Sequence, residues 1–412
     1  MLHISKNIRT FAGRIEIMMK KGYRILVVFL AIFCMVSCAN PISNNPEEDK
    51  TQLWPAADST GFWGFINEKG EMVIPAKYDR AYGFSGGKAQ VYIDEDGEPL
   101  SSAGYDVSLM GSTHAFINTK GEVLFTLPEE KGFLDHYFEY GCCRYGSLRT
   151  VGMMDENFNA FIPDDQYHSG INLGVMTKDG LASSVLGYFN KSGELAISAY
   201  INGKDGNIYE VRNDFCDGIA VVADLMDLTD MYTMYERYGA INTKGEIVID
   251  TVYSFLKSVG CNRLVYRKKG GDYSLLGLMD TQGNIITEPC INWNWYSSFG
   301  DGGLMPVGTY QDGLKYGYMD TKGTMQIPYK YLEATPFDNG LAWVRVQGEG
   351  YKLINKQDEV VLSLDEGQIP YNGNGFHNGL CLIFYNDNQT RKFQYINLKG
   401  EVVYSWPYKL IN

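Results

Sequence analysis

One phrase recurs nine times along this 412-residue chain and restricts what it can fold into. An aromatic or apolar residue precedes Gly, then come two apolar residues, Asn or Asp, two spacers and Gly. The closest copies are WGFINEKG from Trp63, YGAINTKG from Tyr238, LGLMDTQG from Leu276 and YGYMDTKG from Tyr316. Looser copies read HAFINTKG from His114, VGMMDENF from Val151, LGYFNKSG from Leu186, YKLINKQD from Tyr351 and FQYINLKG from Phe393. A unit this short buries no face alone, so neighbours must stack on one another.

The first unit shows the expected anatomy. Phe65-Ile66 reads as a short strand. Asn67 to Gly70 is a hairpin turn in which Asn opens the turn and Gly takes positive φ. Glu71 to Ile74 is the return strand, which Pro75 is expected to stop because proline offers no N–H to a ladder. Phe84-x-x-Gly87 forms a second turn and Ala89-x-Val91 a third strand with alternating faces. The F-x-x-G step recurs at Phe138/Gly141, Tyr167/Gly170, Phe215/Gly218, Phe299/Gly302, Phe337/Gly340 and Phe376/Gly379. Four aromatic pairs keep a spacing of six: Tyr78/Phe84, Tyr209/Phe215, Trp293/Phe299 and Tyr331/Phe337. A fixed spacing predicts a packing job, an aromatic pair closing the layer between repeats. Each buried ring is worth about 1.5–3 kcal/mol.

Counted from the motif glycine, units start at Gly64, Gly152, Gly187, Gly239, Gly277 and Gly317, with Ala115, Lys352 and Gln394 in register. The uneven spacing places insertions between strands, the largest at 94–110 and 223–236. The second carries apolar residues at helical spacing and reads as a short helix. No heptads and no strand–helix alternation occur. The expected fold is all-β, a tandem array of short antiparallel strands over 54–412, about eight and a half units. Unequal units favour an open or curved array. A closed propeller-like ring, in which the partial unit Phe393 to Tyr404 completes the first blade, is the alternative.

The pattern W-G-F-I-N-x-x-G-x-x-V-I-P-x-x-Y-D, followed by F-x-x-G-x-A-x-V, resembles the WG β-repeat family, with Trp63 to Val91 matching along its length and Tyr316 to Val344 nearly so. The resemblance covers roughly 54–404. It implies the repeat type and leaves the ligand open. Only Trp63-Gly64 keeps the naming dipeptide, which points to packing as what the motif preserves.

The amino-terminal region carries an address. Lys20, Lys21 and Arg24 precede the apolar run Ile25 to Val36, and Ser37-Cys38 follows. These are the parts of a secretory signal, and the run is about half of what a membrane span needs. Met35-Val36-Ser37-Cys38 resembles a bacterial lipobox, which implies removal of 1–37 and lipidation of Cys38. An ordinary signal cut near Ala39 is the alternative. Residues 1–17 add nothing to a signal, so translation is expected to start at Met18 or Met19. Residues 38–53 read as a lipidated tether. Together with the repeats, the lipobox resembles lipoproteins of Bacteroidetes-type bacteria, which implies an outer-membrane anchor. Removing 1–37 takes six of the 36 Lys/Arg and one of the 49 Asp/Glu, leaving a formal net charge of −18. Such a body is repelled by anionic surfaces and lacks the Lys/Arg stripe that nucleic acid requires.

Chemistry is sparse. Five histidines (His3, His114, His136, His168, His377) fall in turns, the expected core or the leader. No HExxH, GxSxG, phosphate loop or dinucleotide fingerprint occurs. Neither cofactor nor metal is expected, and Asp94 to Glu98 lacks calcium-loop spacing. Cys142, Cys143, Cys216, Cys261, Cys290 and Cys381 show no CxxC and read as buried thiols, with a Cys216–Cys261 bridge left open. Trp295 and Tyr296, in INWNWYSSF, are the candidate surface rings for stacking on a ligand, while Trp293 belongs to the packing set. The expectation is a non-enzymatic envelope scaffold that binds a protein or an envelope component, or alternatively a glycan-binding accessory lipoprotein.

Overall fold

The computed structural model describes residues 52–93, 113–128, 130–147, 149–165, 172–202, 208–211, 213–224, 237–292, 296–310, 313–373, 375–386 and 391–407, all within one compact unit spanning 49–412. They form small antiparallel sheets, each a meander with strands in chain order. Sheet 2 shows the full set: Arg80–Ala81 (strand a), Lys88–Ile93 (b), Thr113–Asn118 (c) and Val123–Thr126 (d). The others span residues 54–78 (sheet 1), 132–162 (3), 181–198 (4), 304–331 (7), 333–363 (8) and 368–407 (9). Sheets 5 and 6 are fused over 200–292, because the strand Ile247–Gly260 is d of one and a of the next. The result is an all-β chain of nine tandem units resembling β-propeller-type repeats.

The repeated phrase is strand c in every unit. The sequence unit and the sheet are out of phase, since Ala89-x-Val91 pairs with the next copy of the phrase, Ala115 to Ile117. Both faces of strand c are buried, which is why its residues are apolar in succession. The residue after the motif glycine packs on the following sheet: Phe65 on sheet 2, Tyr188 on sheet 5, Tyr318 on sheet 8. The next residue packs on the preceding sheet: Ile117 on sheet 1, Ile241 on sheet 4, Ile354 on sheet 7. The ninth unit obeys the same rule with the first. Tyr395 and Ile66 share a cluster with Trp54, Leu380 and Trp406. Trp63 and Trp406 meet edge-on at 5.9 Å. Tyr395 Oη donates to Pro55 O at 3.0 Å and Trp54 Nε1 to His377 O at 3.0 Å.

The motif glycine answers to a bulge. In the four closest copies, three residues of strand d stand opposite that one glycine. Trp63 pairs with Tyr78 and Phe65 with Ile74, and the same pattern recurs at Gly239, Gly277 and Gly317. A Cβ on Gly64 would lie 2.7 Å from Ala76 N and sit on the Ile74 carbonyl oxygen. Where strand d runs straight, at Ala115, Lys352 and Gln394, a side chain is admitted. Pro75 therefore does not stop its strand, which runs Met72–Tyr78. Proline is tolerated there because strand d is the outer edge, with no further ladder to feed.

The hairpin turn is identical in all nine units at its first step. Asn67 Oδ1 accepts from the N–H groups of Lys69 (2.9 Å) and Glu71 (3.0 Å), and Asn67 Nδ2 donates to Glu71 Oε2 at 2.7 Å. Where the turn opens with Asp, the partner changes to an amide: Asn284 Nδ2 donates to Asp280 Oδ2 at 2.8 Å, and Asn159 serves Asp155 likewise. Backbone N–H bonds, led by that of Asn159, hold the Asp155 carboxyl below the usual range. At five of its copies the F-x-x-G step is a two-residue turn with both central residues at positive φ, as at Gly86–Gly87 (57° and 72°) and Asn339–Gly340 (51° and 78°), which defines type I′; at Phe299 the positive-φ pair is Gly302–Gly303, and Tyr167/Gly170 lies outside the described residues.

The six-spaced pairs meet through a third ring. Tyr78 and Phe84 both lie against Phe65, at 6.5 and 4.8 Å, and Phe337 lies against Tyr318 at 4.8 Å in the cluster that also holds Tyr331. Tyr209 and Phe215 share the Tyr188 cluster. Phe299 is buried beside Met305, and Trp293 lies outside the described residues. All six cysteines are free. Cys142, Cys143 and Cys381 are buried and Cys216 half-buried, but Cys261 and Cys290 are exposed, contrary to expectation. Cys261 holds a positive-φ turn position (54°), and Cys290 sits in the bulge of an outer strand. Leu53, at the end of the expected tether, is buried in the first cluster.

Candidate functional site

Strand direction sorts the connections to two ends of the sheets. The a–b and c–d turns, the repeated ones, share one end. Their contacts run from unit to unit: Lys191 Nζ donates to Tyr140 O at 2.5 Å, Asn262 N to Asp217 Oδ2 at 2.7 Å and Asn339 N to Asp301 Oδ2 at 2.7 Å. The b–c loops and d–a links leave at the opposite end and differ in every unit. Residues 94–112 join Ile93 to Thr113, and 225–236 with Arg237 join Asp224 to Tyr238, both b–c connections, so their flanking strands open at that same end. The two segments, with the short helix expected in one and Asp94 to Glu98 in the other, lie outside the described residues, as do Cys38, His168 and Trp295.

Tyr296 is half-buried. It bridges to Val307, packs on the Val259, Val265 and Met305 cluster, and has Lys257 Nζ 5.5 Å from its ring centre. Burial pushes its hydroxyl pKa up. Exposed rings at the variable end that were not foreseen include Tyr273 in the Lys269–Ser274 connection and Tyr310 beyond strand b of sheet 7, 55% and 65% exposed. Arg267 lies under Tyr273, with the guanidinium 4.8 Å from the ring centre. Sequence offered one signal, a tyrosine among turn residues in KKGGDYS and GTYQDG, where no packing partner is in register. In sheet 8, Tyr351 Oη donates to Glu333 Oε2 at 2.7 Å and Arg345 pairs with the same carboxylate at 2.8 Å. Burial, and then Glu333, push the Tyr351 hydroxyl up to about 12.

Polar groups also enter the layer between sheets 2 and 3. Gln90 is fully buried, its Oε1 3.2 Å from His136 Nδ1, and His136 stacks on Tyr82 at 3.7 Å. His114 is fully buried, and Phe133 N donates to its Nδ1 at 3.3 Å. His377 stands in an F-x-x-G turn. Among the described residues no three of His, Cys, Asp and Glu are gathered as a metal site, and no helix is long and apolar enough to cross a membrane.

The family described as "WG containing repeat" matches residues 63–95, 238–271 and 316–349, three of the four bulged units. A eukaryotic initiation factor has a similar fold at 9% identity, with a TM-score of 0.51 over 87% of this chain and 96% of that one. Weaker likenesses are to the uncharacterized protein lmo1340 of Listeria monocytogenes EGD-e (12% identity, TM-score 0.38, 88% and 98% covered) and to BamB of Moraxella catarrhalis (11%, 0.36, 85% and 98%). No curated protein matches the chain.

Proposed function

We propose that the chain is a non-enzymatic binding scaffold: nine sheets closed into a ring, carried on the lipid of Cys38 in the bacterial envelope, that meets a protein partner with the end where the b–c loops leave. The observation carrying this reading is the division of labour between the ends. One end repeats the same two turns; the other differs in every unit and bears the exposed Tyr273 and Tyr310. Large amphipathic rings on a framework are what protein recognition uses. Closure is supported by the sheet 9–sheet 1 cluster and by a second series of contacts. In the seven units whose hairpin ends on glycine, that glycine lies on strand d of the unit before, as Gly121 does on Ile74 and Gly283 on Ile249; Gly70 lies on Val403, in strand d of sheet 9. An open array would not require the contact of Gly70 with sheet 9.

A photo-crosslinking residue at Tyr310 or Tyr273 in living cells should capture a partner that the same residue at Tyr140, on the repeated end, does not. Equal capture at both ends would discard the assignment. Glycan binding is the second reading, favoured by the Arg267–Tyr273 stack; a glycan array bound by the native chain and lost in Tyr273→Ala would select it. Cys38→Ala should release the chain from membranes, and retention would remove the lipid anchor from the proposal.

A further inference from the structure

Arg267-Lys268-Lys269 is the only run of three consecutive basic residues in a chain of formal net charge −13. It ends strand b of sheet 6, Arg263–Lys268, and opens the connection that carries Tyr273. Arg267 holds that connection in place. Its guanidinium lies 4.8 Å from the centre of the Tyr273 ring and 5.9 Å from that of Phe255. It donates from Nη1 to Tyr273 O at 3.0 Å and from Nε to Ser254 Oγ at 3.3 Å. One face of the Tyr273 ring is thus covered by its own chain, and the ring is still 55% exposed. Lys268 pairs with Glu288 at 3.1 Å. Lys269 is exposed and, among the described residues, makes no ion pair.

Sheet 7 sets a second ring and a second cation beside these. Arg263 and Leu304 begin the two b strands opposite the same motif position, Asp280 and Asp320. Both strands have six residues, so Lys269 and Tyr310 leave them in register. The two c strands also begin in register, at Leu275 and Lys315. The sheets pack face to face through Val265, Met305 and Val307, which sets matching places about 10 Å apart. Ring and ammonium therefore alternate. Tyr310 stands across from Lys269, and Lys315 across from the foot of the Tyr273 connection. The surroundings select the ligand. A protein hot spot is a desolvated apolar pocket, whereas these rings rise among Lys, Gly, Asp and Ser, and a Cβ on Gly270 or Gly313 would meet nothing within 4 Å. A hydrated sugar chain suits such ground: a pyranose lays its C–H face on a tyrosine, and a carboxylate on it pairs with an ammonium. The sheet spacing of about 10 Å spans two rings of an extended sugar chain. We infer that the b–c connections of sheets 6 and 7 bind an acidic polysaccharide, its rings stacking on Tyr273 and Tyr310 and its carboxylates pairing with Lys269 and Lys315. The inference rests on the glycan reading of the variable end and names the class of glycan.

Calorimetric titration of the full chain tests it with hexasaccharides of galacturonate, mannuronate and hyaluronan, each beside its methyl ester, which keeps the sugar and removes the charge. One acid should bind about tenfold tighter than its ester, the scale of one charge-assisted hydrogen bond. Lys269→Gln and Lys315→Gln should each weaken the acid and leave the ester unchanged, which a merely structural role would not do. Tyr273→Ala and Tyr310→Ala should weaken both ligands. Tyr273→Trp should keep both, and Tyr140→Ala, on the repeated end, should change neither. Equal binding of acid and ester, with Lys269→Gln silent, overturns the acidic class and spares the glycan reading. Acid binding unmoved by Tyr273→Ala and Tyr310→Ala lies elsewhere on the surface and overturns the site. No binding of any saccharide, with a protein captured at Tyr310, overturns the inference and the glycan reading together.

Discussion

At the scale of single residues, the motif glycine separates two uses of one sequence. Gly64 and Ala115 hold the same place in strand c, yet only Gly64 faces three residues of strand d. The bulge presses backbone onto the Gly64 α-carbon, so a methyl group there must push Ile74 and Ala76 aside. Gly64→Ala should cost about 1–3 kcal/mol, the usual scale of overpacking. Ala115→Gly faces no such obstacle; it should cost about 0.5–1 kcal/mol through chain entropy and about 0.8 kcal/mol more through the buried methyl it removes from the first cluster. Urea unfolding checks the sign of a methyl at each place; a Gly64→Ala variant as stable as the parent would show that the bulge places no demand on glycine.

At the scale of the element, the hairpin turn carries its own grammar. Asn at the first position goes with Glu four residues on, and Asp goes with an amide, Asn at that same place for Asp155 and Asp280 and Gln326 for Asp320, so that an amide always donates to a carboxylate. Asn67→Asp should set two carboxylates against each other and destabilise the turn by about 0.2–1 kcal/mol, the range of exposed cross-strand pairs. Adding Glu71→Asn should restore it, and the double-variant cycle measures the coupling; additive losses would refute the pairing. Much of this was legible in the sequence. The turn glycine, the F-x-x-G step and the six-spaced aromatics follow from local rules. The phase of the sheet was not, because the hydrogen bonds that assign Ala89-x-Val91 to the next unit are non-local. The bulge was hidden for the same reason: Pro75 reads as a stop until strand d is known to be an outer edge. At the site, Tyr296 read as a surface ring because its partner, Val307, lies across an inter-strand bridge that spacing does not reveal. The exposed Tyr310 fell between copies of the phrase, where periodicity says nothing.

At the scale of the whole molecule, the sheets are riveted by tyrosine hydroxyls that cross from one to the next. Tyr318 donates to Thr335 O at 2.8 Å, Tyr188 to Asn213 O, and Tyr395 to Pro55 O at 3.0 Å across the meeting of the ninth sheet with the first. Burial raises the pKa of all three above the ordinary value of 10.0, and raises that of Tyr266 to about 12. The sign follows from linkage. Below pH 10 both folded and unfolded chains hold these protons, and the full contribution is present. Above it the unfolded chain releases them while the folded chain does not, so stability falls as pH rises toward the folded values. The urea midpoint should therefore hold to about pH 10 and decline steadily to about pH 12. Tyr395→Phe should cost about 1 kcal/mol at neutral pH, one hydrogen bond, and should flatten part of the alkaline decline, because one proton is no longer released on unfolding. A variant curve parallel to the parent at every pH would mean that the Tyr395 hydroxyl is not held between the ninth sheet and the first, and the closed ring would lose one of its supports.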